Sequence, residues 1–190
     1  MPAAEPHRVT PSPALLACYN AVPNVLWSVL SLVPLVVFCY QHVARPWLYG
    51  FVALSLLAYA WPTAWLRHLQ LSTRPAVYRK LRVPALNHLT QHGTLVNRLL
   101  RHRYPQYQYL PPRANLAKVV RTTYHLERFH WVMLVYFLLT TGYAVALGHW
   151  GWAGVLSLLN VGYNLYPIWL QQYLRLRLRQ LPRFGQAADQ

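Results

Sequence analysis

"WVMLVYFLLTTGYAVALGHWGWAGVLSLLNVGYNLYPIWLQQY" (131–173) contains no Asp, Glu, Lys or Arg. A membrane-crossing helix needs about 20 mostly apolar residues. This stretch holds two such lengths, 131–148 and 152–172, joined by the glycine-bearing turn "GHWGWAG" (148–154). It reads as a helical hairpin in a bilayer. The pattern recurs upstream: 33 uncharged residues lie between Arg8 and His42, and 21 between Arg45 and Arg67. They give spans at about 23–41 and 47–66, joined by "HVARPW" (42–47). The expected fold is all-α: an integral membrane protein of one domain, with four transmembrane helices as two hairpins. A loop over 67–130 joins them. The chain is 55% hydrophobic and 11% charged, where a soluble domain carries about 25% charged residues. A soluble core does not need four such runs. Pro34 and Pro62 lie inside spans, where neighbouring helices re-satisfy the freed carbonyls. Trp27, Trp47, Trp61, Trp65, Trp131, Trp150 and Trp152 fall mostly near span ends, at the level of the lipid headgroups.

Charge sets the orientation. Of 18 Lys and Arg, 12 lie in the loop from Arg67 to Arg128 and four in the tail from Arg175 to Arg183. Cations favour the cytoplasmic side, so the loop and both termini are expected there. The net charge of +15 is then a topology signal and an attraction to anionic lipid. The cations are scattered along membrane-adjacent segments without a recognition motif, so no nucleic-acid partner is expected. The proline-rich "MPAAEPHRVTPSP" (1–13) reads as a short lead-in and not as a cleaved signal. Cys18 and Cys39 have neither disulfide nor metal-ligand spacing. His42, His130 and His149 sit at span ends, so no haem or other cofactor is expected.

The loop is too long to be a mere connector. In "VPALNHLTQHGTLVNRLLRH" (83–102), Leu86, Leu89, Val96, Leu99 and Leu100 follow helical spacing. This predicts an amphipathic helix with its apolar side in lipid. Asn115 is a suitable N-cap for a second helix running through "LAKVVRTTYHLERFHW" (116–131) into the third span. On that helix Tyr124, Glu127 and His130 share one face, and Arg121, His125 and Arg128 the other. Glu127 is the single interior acid, since the other two, Glu5 and Asp189, lie near the ends. In the last span Asn160, Asn164, Gln171 and Arg175 fall four, seven and four residues apart, one stripe on a regular helix. Pro167 opens a backbone carbonyl beside it. Structural readings stand next to functional ones. The asparagines suit interhelical hydrogen bonding, the terminal arginines suit anchoring, and Glu127 with His130 suits a salt bridge at a helix start. Polar residues gathered at membrane depth also mark functional sites.

"ERFHW" (127–131) followed by "N-x-x-P-x-x-x-Q-x-Y-x-R-x-R-L" (164–178) resembles the glycosyl-4,4'-diaponeurosporenoate acyltransferases, small bacterial membrane proteins of carotenoid biosynthesis. Glu127, His130, Trp131, Asn164, Gln171, Tyr173, Arg175 and Arg177 match that pattern. Gln172 and Leu174 stand where the family has arginine and asparagine. "YRKLRVPALNHL" (78–89) and "GTLVNRL" (93–99) resemble its middle segment, and the resemblance covers about residues 75–180. It implies a multi-pass enzyme of the bacterial inner membrane, esterifying a sugar hydroxyl of a glycosylated carotenoid or similar glycolipid with a fatty acyl group. The implied partners are that lipid-soluble acceptor and an acyl donor, either a thioester carrier or a phospholipid. On this reading His130 is the general base and Glu127 fixes its tautomer. Arg175 and Arg177 hold an anionic donor. Asn164 and Gln171, with Asn160 and Tyr173, bind substrate oxygens. No G-x-S-x-G elbow exists. The rival reading is a non-catalytic four-helix binding or scaffold protein. The sequence carries no signal of oligomeric state.

Overall fold

A computed structural model describes residues 11–88, 94–104 and 116–180. Those residues are mostly helical, with no strand among them. Helix α1 runs over Pro13–His42, with Pro13 in its first turn and the Ser12 hydroxyl accepting the Leu15 N–H at 3.3 Å. Pro23 and Pro34 lie inside it without ending it. Thirty residues at about 1.5 Å each span some 45 Å. Its Val22, Val25, Leu26, Val29 and Leu30 are more than half exposed, as suits a surface solvated by lipid chains.

The expected span over 47–66 is not one helix. Helix α2 covers Arg45–Leu57, a 3₁₀ turn covers Ala58–Ala60, and α3 covers Thr63–His68. Pro62, at the N-cap of α3, has no N–H to continue the ladder and pushes Trp61 out of the helical region. The Trp61 carbonyl takes the Nε–H of Arg128 at 3.3 Å instead.

Helix α4 (Pro75–Lys80) is followed by a 3₁₀ segment, Val83–His88, and α5 covers Thr94–Arg103. The single amphipathic helix expected over 83–102 is therefore split. Val83, at its start, is fully buried together with Tyr78 against Leu170 and Tyr173 of the last helix. The proposed cap at Asn115 and the tyrosine-rich stretch over 105–112 lie outside the described residues.

Helix α6 (Leu116–Ala146) is the continuous helix expected through "ERFHW". Gly148, with φ of +76°, supplies the left-handed residue that ends it; glycine enters that region freely. Helix α7 (Trp150–Asn160), a π turn (Val161–Leu165) and α8 (Tyr166–Arg179) succeed one another end to end. One core cluster lies where α1, α6 and α7 meet. Leu35, Phe38 and Cys39 of α1 pack on Phe137 and Ala144 of α6 and on Ala153 and Leu156 of α7. Two helices are long and apolar enough to cross a membrane, Pro13–His42 and Ala117–Ala146.

Candidate functional site between helices α6 and α8

Glu127 is 0% exposed, Gln172 1% and Arg175 4%. Such burial costs a carboxylate heavily unless it is paired and hydrogen-bonded. Glu127 meets both conditions through α8: one oxygen accepts the Gln172 Nε2–H at 2.9 Å, and the other forms a short ion pair with Arg175 Nη2. The Arg175 guanidinium also lies 4.0 Å over the Tyr124 ring, an attraction between cation and ring face. Its Nη1 is buried without a hydrogen-bond partner among the described residues.

Gln172 extends the network into the loop. Its Oε1 accepts the Leu71 N–H at 3.1 Å and lies 3.1 Å from the Tyr78 hydroxyl. That hydroxyl in turn accepts the Ser72 N–H at 3.1 Å. One amide side chain thus joins the loop, α8 and the carboxylate on α6. Burial pushes the Tyr78 phenol above its ordinary range, partly offset by its hydrogen bond to the Ser72 carbonyl.

His130 lies one turn beyond Glu127 but is not paired with it: among the described residues the ion pair of Glu127 is to Arg175. The expected carboxylate–imidazole couple is replaced by two neighbouring arrangements. The imidazole lies against the Asn164 side chain and the Tyr163 carbonyl. That carbonyl is the one Pro167, four residues on and lacking an N–H, leaves without its α-helical donor. Asn164 donates to Asn160 Oδ1 at 2.8 Å, and Asn160 donates to the Leu134 carbonyl at 3.2 Å. This ladder leaves Asn164 Oδ1 buried and without a partner, as is His130 Nδ1. An acceptor and a potential donor thus stand unmatched side by side.

The remaining expected site residues divide. Gln171 and Tyr173 are buried on α8, Tyr173 packing on Tyr78 with ring centroids 6.1 Å apart. Arg177 is exposed, two residues and so roughly half a turn from Arg175, and does not join the buried pair. Leu174 packs against the cluster around Tyr78. Trp131 stacks near Trp61, centroids 5.6 Å apart, with its buried Nε1 unpartnered.

The glycosyl-4,4'-diaponeurosporenoate acyltransferase family profile matches residues 62–183, which includes every one of these side chains except Trp61. The chain belongs to this family. Neither the curated proteins nor the solved structures give a match. The two long apolar helices and the family together mark this acyltransferase relative as a membrane protein. Two of its organising residues, Gln172 and Tyr78, were not singled out as site residues by the sequence. Gln172 stood out only as a departure from the family pattern. The Tyr78 signal, a tyrosine flanked by cations, does not separate a buried phenol from an interfacial one.

Proposed function

We propose that the protein is a membrane-embedded acyltransferase that esterifies a sugar hydroxyl of a glycosylated carotenoid with a fatty acyl group. The observation that carries the reading is the buried His130–Asn164 contact beside the Tyr163 carbonyl. Family membership supports the class of reaction. In this mechanism His130 Nδ1–H turns to Asn164 Oδ1, which leaves Nε2 as the base, an arrangement of imidazole and amide also used for nucleophile activation on unrelated folds. Asn160 holds Asn164 in place. His130 Nε2 takes the proton of the sugar hydroxyl as its oxygen attacks the acyl carbonyl. The C–O bond forms, the bond to the leaving group breaks, and the proton passes to that group. The free Nη1–H of Arg175 suits the carbonyl oxygen as it gains charge. Glu127 neutralises Arg175 and fixes its guanidinium, so it positions a donor and does not act as base.

The four-span arrangement, with the loop and both termini cytoplasmic, belongs to this proposal. Two candidate spanning helices, the packing of α2 and the 3₁₀ turn after it on α6 and the cation distribution support it. The test is ester formation by protein reconstituted in phospholipid nanodiscs with a glycosylated carotenoid and a fatty acyl thioester. General-base removal typically costs about 10²–10⁴-fold, so His130→Ala is expected to lose at least about a hundredfold in kcat. Undiminished turnover by both His130→Ala and Asn164→Ala would remove this pair from the mechanism. A scaffold would form no ester in any variant.

A further inference from the structure

Five exposed cations lie on the two segments that pack together beside the site, and none has a partner among the described residues. Arg79, Lys80 and Arg82 flank Tyr78 and Val83, whose burial against Leu170 and Tyr173 clamps this segment onto α8. Arg177 and Arg179 emerge from the end of the same helix. All five are exposed, and none of their side chains has a hydrogen-bond or ion-pair partner among the described residues. Glu127 is the one carboxylate there, and it is committed to Arg175.

Arg82 adds an independent observation. Its φ of +54° is the one positive value on a non-glycine among the described residues. It closes α4, where glycine would sit without steric cost. A long cationic side chain is kept at a position whose backbone disfavours any side chain, and such outliers gather at functional sites.

We infer that Arg79, Lys80, Arg82, Arg177 and Arg179 seat the phosphate groups of the acyl donor, which is therefore a water-soluble, phosphate-bearing acyl thioester. This rests on the acyl-transfer reading above and chooses between its two donor classes. Charge compensation separates two zones. The inner arginine is neutralised and offers one N–H to an uncharged carbonyl, while the outer five are uncompensated and suit an anion. A molecule with an acyl carbonyl at one end and phosphates at the other matches both. The Tyr78–Gln172–Glu127 hydrogen bonds run between the zones. In the reaction the sugar oxygen bonds to the thioester carbon, the C–S bond breaks, and the proton carried by His130 leaves on the thiol.

The test is equilibrium binding of a radiolabelled fatty acyl-coenzyme A to the full chain in phosphatidylcholine nanodiscs. The same acyl group as its N-acetylcysteamine thioester, which has no phosphate, is the control. The R79E/K80E/R82E variant is expected to weaken coenzyme A thioester binding at least about tenfold, each exposed charge contributing modestly. It should change the control by less than roughly twofold, and salt should weaken only the former. Arg82→Gly keeps the left-handed backbone, so it should fold at least as well and still weaken binding about two- to threefold. Unchanged affinity in both variants overturns the proposal. So does a result in which the variants lose only the enrichment of phosphatidylglycerol in the lipid that co-purifies with the protein, which would give the patch to lipid headgroups. Ester formation from the phosphate-free thioester, with no measurable preference for coenzyme A, overturns the seat and leaves the acyltransferase reading intact. Tight, salt-sensitive binding without ester on any glycosylated acceptor does the reverse.

Discussion

Replacing Glu127 by Gln removes one charge and almost no volume, so its effect isolates the ion pair. Both partners are shielded, with side-chain exposures of 0% and 5%, and solvent cannot take over the cation left behind. Removing one member of such a pair costs about 3–5 kcal/mol. By soluble-domain scaling for a chain of this size, 1 kcal/mol moves the midpoint by about 2–4 °C. Glu127→Gln is therefore expected to lower the unfolding midpoint by at least about 6 °C. The amide introduced there also offers one acceptor oxygen where two now serve Gln172 and Arg175. Adding Arg175→Met removes the stranded cation, and the double variant should recover half or more of the loss, since no uncompensated charge is then left buried. The assay is thermal unfolding in a mild detergent, monitored by tryptophan fluorescence for wild type, both single variants and the double. A Glu127→Gln midpoint within about 1 °C of wild type, or strictly additive losses in the double variant, would refute the reasoning that the two groups form one buried unit.

Three other perturbations probe the same geometry. Gln172→Leu leaves one oxygen of the buried Glu127 carboxylate without its donor and releases the Leu71 N–H, while the Tyr78 hydroxyl keeps Ser72. A buried group stranded in this way costs about 1–3 kcal/mol, and hydrogen exchange at Leu71 should rise with the loss of stability. Pro167→Ala restores an N–H that competes for the Tyr163 carbonyl, so ester formation should fall while the unfolding midpoint stays equal or increases. Tyr78 has a folded pKa above its ordinary 10.0, so its neutral form is the stabilising one. The stability difference between wild type and Tyr78→Phe should stay constant below pH 10 and shrink as pH rises above it, read by denaturant titration at each pH.

Spacing along one helix correctly gathered Tyr124, Glu127 and His130 on α6, because a face is set by 3.6 residues per turn. It could not give their partners. Glu127 and His130 are near neighbours on that face, yet α8 supplies each with a different contact, and a helix crossing leaves no periodic trace in either segment. The stripe through Asn160, Asn164, Gln171 and Arg175 assumed a regular helix. The π turn over Val161–Leu165 holds more residues per turn and rotates the whole of α8, which puts the Gln172 amide on the carboxylate. Arg177 was separable from Arg175 in advance, since residues two apart on a helix do not share a face. Pro62 was visible as a breaker, but hydropathy alone rates a broken span and an intact one alike.

The wide turn in the last helix governs how the chain tolerates length changes. Loss of a single residue between 161 and 165 would restore ordinary pitch and leave the later side chains in place, whereas ordinary pitch at unchanged length would swing every later side chain through about a quarter revolution. Gln171 would then come round to where Gln172 now stands. Two adjacent glutamines keep an amide beside the buried carboxylate in either phase, whereas Arg175 has no such understudy. Drift in this segment is therefore constrained by the guanidinium and not by the amide.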